Sequence, residues 1–279
     1  MIVETAPAKI NLALHVRYRR PDGYHEIETL FAFATDGDTV TLRRADADDF
    51  TVTGPFAEAL RPQPGQGSDG NLVTRAAAAF ATSFAIDARH AIVLDKHLPI
   101  ASGIGGGSAD AAATLRGLAR LHDVDRDDPR LIEIAASLGA DVPACLAGRT
   151  ALGTGRGDSL VALDGLAGTP LLLVNPRVAV STAAVFAGWD GVDRGPIPGG
   201  DLLDRSVAAR NDLEPAARRI APDIGKVLAL LAAADGVILT RMSGSGATCF
   251  ALFDSIAARS EAARTAAAAG HWCLETKLA

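Results

Sequence analysis

The chain has 279 residues, 48% of them hydrophobic and only 5% aromatic, with a formal net charge of −6. That length suits a large core or two medium domains, and the composition is that of a globular protein. The acidic balance excludes a general nucleic-acid or anionic-membrane surface, so any phosphate the chain binds must be held locally.

The opening segment MIVETAPAKINL carries a proline and charges where a secretory signal would need an apolar run. The most apolar stretches, such as 171–174, are too short to span a bilayer. Cys145, Cys249 and Cys273 are odd in number and form no CxxC pair. They read as reduced thiols rather than disulfides or zinc ligands, and a cytoplasmic location is expected.

In residues 9–17 (KINLALHVR), Ile10, Leu12, Leu14 and Val16 alternate with Lys9, Asn11, His15 and Arg17. This is the pattern of a half-buried strand. Arg20-Pro21-Asp22-Gly23 is a turn signal, with a return strand expected over 26–33. Residues 38–43 and 50–53 read as further strands. The Pro/Gly-rich stretch 63–70 reads as a loop, after which Asn71 can cap a helix running through Ala81. A strand at 91–95 leads into four glycines (Gly103, Gly105, Gly106, Gly107), then Ser108 and a helix with Leu115, Leu118 and Leu121 on one face. A second helix is expected over 129–138, stopped by Gly139. The glycine-rich region 148–168 marks the expected domain junction. Beyond it come a strand at 171–175, a loop at 188–200 and a helix at 224–234. Two strands, 237–240 and 248–253, flank the loop Ser243-Gly244-Ser245-Gly246, and a last helix spans 255–269. Strands clustered early, rather than alternating strictly with helices, indicate an α+β protein.

The stretch 98–108 is the strongest functional signal. A glycine loop that feeds a helix N-terminus is a ready anion site: the first-turn N–H groups have no partners within the helix, and missing Cβ atoms admit phosphate oxygens. It is not a Walker A loop, because Ala109 and Asp110 follow Ser108 where Lys-Ser/Thr would be required; nor is it a dinucleotide fingerprint, because position 108 is not glycine. A plainer reading makes it a loop with Ser108 as N-cap. Lys9 is either a solvated strand lysine or a phosphate-neutralising cation. Asp141 is either the N-cap of a helix opened by Pro143 or a base accepting a proton from a substrate hydroxyl. Ser243–Gly246 is either a turn or a second phosphate or substrate loop. The glycines of 153–157 suit a hinge. Tyr24 and Phe186, on loops from different parts of the chain, could sandwich a flat base.

PAKINL (Pro7–Leu12), LPIASGIGGGSADAA (Leu98–Ala112) and SGSGATCFALF (Ser243–Phe253) resemble, in order and spacing, the three motifs of the GHMP kinase superfamily. The stretches RRPDGYHEIETLF, GADVPACLAG and RNDLEP are similar to its branch acting on a cytidine diphosphate-linked methylerythritol. The likeness runs from Pro7 to about Phe253. It implies a two-domain fold: an N-terminal domain like ribosomal protein S5 domain 2 (residues 1–160) that binds ATP, and a ferredoxin-like C-terminal domain (161–279) for the substrate. It also implies phosphorylation of that substrate's 2-hydroxyl in non-mevalonate isoprenoid precursor synthesis. Lys9 and Asp141 would then be catalytic. Asn71, Lys96, Pro99, Ile100, Ala101, Ser102, Gly103, Ile104, Gly105, Gly106, Gly107 and Ser108 would bind ATP. Asn11, Tyr24, His25, Thr182 and Phe186 would hold the substrate, with His25 reading the base edge. Mg²⁺ would arrive with ATP, since no acidic cluster stands out as its protein ligand. Asp110, often Asn in the family, is expected only to border the loop. A homoserine- or mevalonate-type kinase and a non-catalytic nucleotide sensor are the alternatives; no nucleic-acid or membrane partner is expected.

Overall fold

The computed structural model describes residues 1–60 and 70–279; the loop expected at 63–70 lies, except for Gly70, outside the described residues. The elements in order are β1 (Ile2–Arg19), β2 (His25–Ala45), β3 (Asp49–Thr53), α1 (Leu72–Phe84), β4 (Arg89–Asp95), α2 (Gly106–Leu121), α3 (Pro129–Leu138), α4 (Val142–Ala147), β5 (Ala151–Thr154) and β6 (Ser159–Ala162). They continue with β7 (Pro170–Asn175), α5 (Thr182–Ala187), α6 (Leu202–Ala208), α7 (Glu214–Ile220), α8 (Asp223–Ala232), β8 (Val237–Met242), β9 (Cys249–Phe253), α9 (Ile256–Ala268) and β10 (Trp272–Lys277). The chain forms two compact units, each built from separate stretches: 1–8, 36–100 and 105–148 in one, and 9–35, 101–104 and 149–279 in the other.

In the first unit the later part of β2 pairs antiparallel with β4, from Thr39 opposite Asp95 to Ala45 opposite Arg89. β3 adds in parallel on the far side of β4. Helices α1 to α4 pack on one another and bury Val73, Phe80, Leu115, Leu118, Leu131, Ile134 and Val142. The strands expected at 26–33 and 38–43 are one continuous strand. Gly37 allows this: a Cβ there would lie 2.0 Å from the Ala6 carbonyl oxygen, so only glycine admits the close approach.

The second unit contains the four-stranded antiparallel sheet β10-β7-β9-β8. With α8 before β8 and α9 between β9 and β10, its order is βαββαβ, the ferredoxin-like arrangement expected of the C-terminal part. Strand β10 carries no clear sequence signal, yet it pairs with β7 along its whole length. The earlier part of β2 pairs with β5, and β5 with β6, so the glycines of 153–157 belong to a hairpin rather than a hinge. The core of this unit gathers Leu14, Val16, Ile27, Leu172, Val174, Leu213, Ile224, Met242 and Phe253.

Strand β1 corrects the half-buried reading. Ala8 to Val16 are buried on both faces, including Lys9, Asn11 and His15. Alternating polar residues here mark a second covered face, where each polar group must find a partner.

Candidate active site

In the second unit, Lys9 is buried; its backbone N–H donates to Ile104 O at 3.0 Å, and its Nζ donates to Asn11 Oδ1 at 2.9 Å. The ammonium also stands 5.3 Å from the centre of the Phe31 ring. Asn11 is fixed in turn: its Nδ2 donates to Thr29 Oγ1 at 2.7 Å, and that hydroxyl donates to Ala13 O. A lysine at this depth with its partner locked is a preorganised cation, the type of group that stabilises charge developing on a phosphoryl oxygen.

Around this strand the loop 243–246 is wholly buried. Ser243 Oγ accepts from the Asn11 backbone N–H at 3.2 Å and donates to Gly103 O at 2.8 Å. Thr248 N–H donates to Ser102 O, and Asn211 Nδ2 donates to both Met242 O and Gly244 O at 2.8 Å. Ser245 Oγ shares a hydrogen bond with Thr182 Oγ1 at 2.9 Å. The loop therefore holds residues 102–103 and strand β1; its serine hydroxyls serve protein partners.

The turn at 20–23 forms as expected, with Arg20 N–H donating to Tyr24 O and Gly23 at φ 87°. Tyr24 is 54% exposed, with the Arg156 guanidinium 5.1 Å from its ring centre. His25 lies 5.1 Å from the Phe186 ring and 5.7 Å from that of Trp189, the latter edge-on. Burial, aided by the Arg19 charge, holds the His25 imidazole below its usual pKa, so at neutral pH its ring offers one donor and one acceptor. Phe186 sits on α5, capped by Ser181. Trp189 was not anticipated; its signal was a large aromatic three residues beyond Phe186 in an otherwise small-residue segment. Its indole N–H is buried without a partner among the described residues.

In the first unit, helix α2 begins one turn earlier than the Ser108 cap reading allows. Gly105 is the N-cap, at φ 65° and with no side-chain cap; Gly106, Gly107 and Ser108 form the first turn. The first intrahelical bond is Ala109 N–H to Gly105 O at 2.8 Å. The N–H groups of residues 106–108 therefore have no carbonyl partner within the helix, on a turn where Gly107 is exposed. Asn71 caps α1 through Val73 N–H at 2.9 Å, as expected. Asp141 occupies the N-cap position of the short α4, but its side chain makes no capping hydrogen bond, which removes the plainer role for its carboxylate.

Lys96 and Asp110 differ most from expectation. Lys96 Nζ is buried and donates to Asp38 Oδ2 at 2.5 Å and to Asp110 Oδ2 at 2.6 Å. Asp110, expected only to border the loop, is part of a buried ion triad. The sequence signal was an aspartate on the covered, alanine-lined face of α2.

No group of three or more metal-ligating side chains occurs among the described residues. A magnesium ion, which keeps waters and uses substrate oxygens, needs no protein cage of that kind. The three cysteines are free thiols. Among the described residues no helix is long and apolar enough to cross a membrane.

Residues 71–149 match the model of the GHMP kinases N terminal domain, and residues 200–271 that of the GHMP kinases C terminal domain. A 4-diphosphocytidyl-2-C-methyl-D-erythritol kinase from Rhizorhabdus wittichii is 58% identical over 95% of this chain and 89% of its own length. One from Sphingopyxis alaskensis is 50% identical over 96% and 94%. A crystal structure of 4-(cytidine 5'-diphospho)-2C-methyl-D-erythritol kinase superposes with a TM-score of 0.80 at 31% identity, covering 99% of each chain. A mevalonate kinase structure shares only the fold, with a TM-score of 0.71 at 10% identity. The chain belongs to the GHMP kinases and, within them, to the 4-diphosphocytidyl-2-C-methyl-D-erythritol kinase family.

Proposed function

We propose that the protein transfers the γ-phosphoryl group of ATP to the 2-hydroxyl of 4-diphosphocytidyl-2-C-methyl-D-erythritol, in non-mevalonate isoprenoid precursor synthesis and in the cytoplasm. The observation that carries the reading is the uncapped glycine start of α2, with its first-turn N–H groups unused within the helix. Such a terminus suits the phosphates of a nucleotide, and residues 99–108 with Asn71 are its nucleotide set. The His25–Phe186–Trp189 ring group supports a base-bearing alcohol over homoserine or mevalonate, which have no base to stack. Asn11, Tyr24 and Thr182 complete the substrate set.

In this reading the substrate oxygen attacks the γ-phosphorus, the bond from that phosphorus to the bridging oxygen of ADP breaks, and the hydroxyl proton passes to Asp141. Lys9 offsets the charge on the transferring group. With Ser108 beside the phosphates, Mg²⁺ carried by ATP would supply charge neutralisation there.

A coupled ADP-release assay with the cytidine substrate, homoserine and mevalonate in parallel tests the proposal. Release with the cytidine substrate alone is expected; release with another alcohol instead would overturn it. Asp141→Asn should bind both substrates nearly as wild type and turn over at least about a hundredfold more slowly. Wild-type turnover in that variant would remove Asp141 as the base.

A further inference from the structure

Beneath the phosphate-binding turn lies the buried triad of Asp38, Lys96 and Asp110. Asp38 comes from β2, Lys96 from the residue after β4, and Asp110 from the second turn of α2. Asp38 works with both oxygens: Oδ2 accepts from Lys96 Nζ, while Oδ1 accepts from the backbone N–H groups of His97 at 2.6 Å and Leu98 at 2.8 Å. Those two amides are where the chain leaves the sheet to become the glycine loop. At the loop's other end, a Cβ on Gly106 would stand 3.1 Å from Lys96 Nζ. The ammonium therefore lies directly against the first residue of α2, and glycine at 106 leaves it that space. Lys96 thus has its hydrogen bonds directed at two carboxylates and its charge matched from within.

We propose that Asp38, Lys96 and Asp110 are positioning residues for ATP, a brace that pins the entry of the glycine loop to the second turn of α2 and sets the charge under the helix N-terminus. The proposal rests on the kinase reading and assigns Lys96 a place behind the loop instead of against the nucleotide.

The charge balance gives the brace a second consequence. Asp110 Oδ1 is buried with no hydrogen-bond partner among the described residues. Burial, opposed by Lys96 and reinforced by Asp38, pushes its carboxyl up to about 7. Those are the charged groups facing it. Helices α1, α3 and α4, which also pack on α2, bury Val73, Ala76 and Phe80, then Leu131, Ile134, Ala135 and Leu138, and Val142 to Cys145, none of them charged. When Asp110 is protonated, the triad is neutral overall. When it ionises, one uncompensated negative charge sits under a site built for phosphate, and ATP should bind less tightly.

The test is direct ATP titration by calorimetry, with steady-state kinetics alongside. Lys96→Met should raise the Kd for ATP at least about tenfold while leaving kcat at saturating ATP and the KM of the alcohol within about twofold. Asp38→Asn should fall within about threefold of Lys96→Met, because both release the same loop entry. Wild-type ATP affinity in a folded Asp38→Asn or Lys96→Met protein would overturn the brace. If those variants do not fold, Asp110→Asn decides: it keeps a hydrogen-bonding group but cannot ionise. The wild-type Kd divided by that of Asp110→Asn should rise at least about threefold between pH 6 and pH 8, and a ratio constant with pH would sink the proposal. A wild-type protein that binds no ATP would instead overturn the kinase reading, and the brace with it.

Discussion

The two glycine loops, Gly105–Ser108 and Ser243–Gly246, look alike as letters and behave as opposites. The first is partly exposed, lacks a side-chain cap and leaves its N–H groups without helical partners. The second is buried throughout, and its hydroxyls and carbonyls are hydrogen-bonded to residues 11, 103, 182 and 211. Glycine serves a different contact in each. At 106 it leaves room for the Lys96 ammonium, and at 107 it lies on an exposed turn; at 103 and 244 it lets one backbone approach another. Burial, rather than glycine content, separates an open loop from a loop that holds its neighbours.

Substitutions can break this contrast. The largest effect is expected at Gly103, which sits at φ 77° and where a Cβ would lie 2.4 Å from Ser243 O. Left-handed strain and overpacking together should make Gly103→Val lose roughly 3–5 kcal/mol of stability; a denaturation midpoint near wild type would show that residue 103 is not in close packing with Ser243.

Next is the charge beneath the first loop. With the Asp110 carboxyl raised to about 7 from an ordinary 3.8, the folded state holds a proton between those values that the unfolded state has lost. Stability should therefore fall as pH rises through that window, and Asp110→Asn should escape the fall. The difference at pH 8 should be about 2–4 kcal/mol, since each tenfold change in proton affinity between those two values is worth about 1.36 kcal/mol before relaxation. Melting curves of the two proteins that stay parallel from pH 5 to pH 8 would contradict this.

Ser243→Ala removes an acceptor from the Asn11 amide and a donor from Gly103 O, and should cost about 1–3 kcal/mol in urea unfolding. Ser108→Ala sharpens the contrast from the other side. It should change stability by less than about 0.5 kcal/mol, as a surface substitution away from a cap, yet weaken ATP binding measurably by titration. Equal effects of the two serine variants on stability would erase the distinction drawn here.

Much of this was legible in the letters. Asn71 before an amphipathic run is a cap, and the structure uses it so. The turn at Pro21–Gly23, helices α3 and α9, and the strand pairs around 171–175 and 237–253 follow from periodicity and turn chemistry. The motif resemblance named the family. What stayed hidden depends on what covers a face. Alternation in 9–17 cannot say that the polar side is also buried, because a strand's pattern records only that its two faces differ. Asp110 and Asp38 are far apart in sequence, so nothing local links them to Lys96. Strand β10 runs three apolar residues into three polar ones with no alternation to mark it, and it pairs along the edge that β7 offers. Trp189 gains meaning from a ring more than 160 residues earlier in the chain.

The second unit also sets an order of events. Strand segment 9–35 is made early, yet Phe33 O accepts from Ala279 N–H at 2.9 Å, and Ala34 bridges to Leu278. Leu14 pairs likewise with Asn211. These closures join residues separated by most of the chain, so their loop entropy is lost before any contact repays it, which slows folding. During synthesis the buried lysine strand must wait for the ferredoxin-like sheet to emerge before its apolar residues are covered.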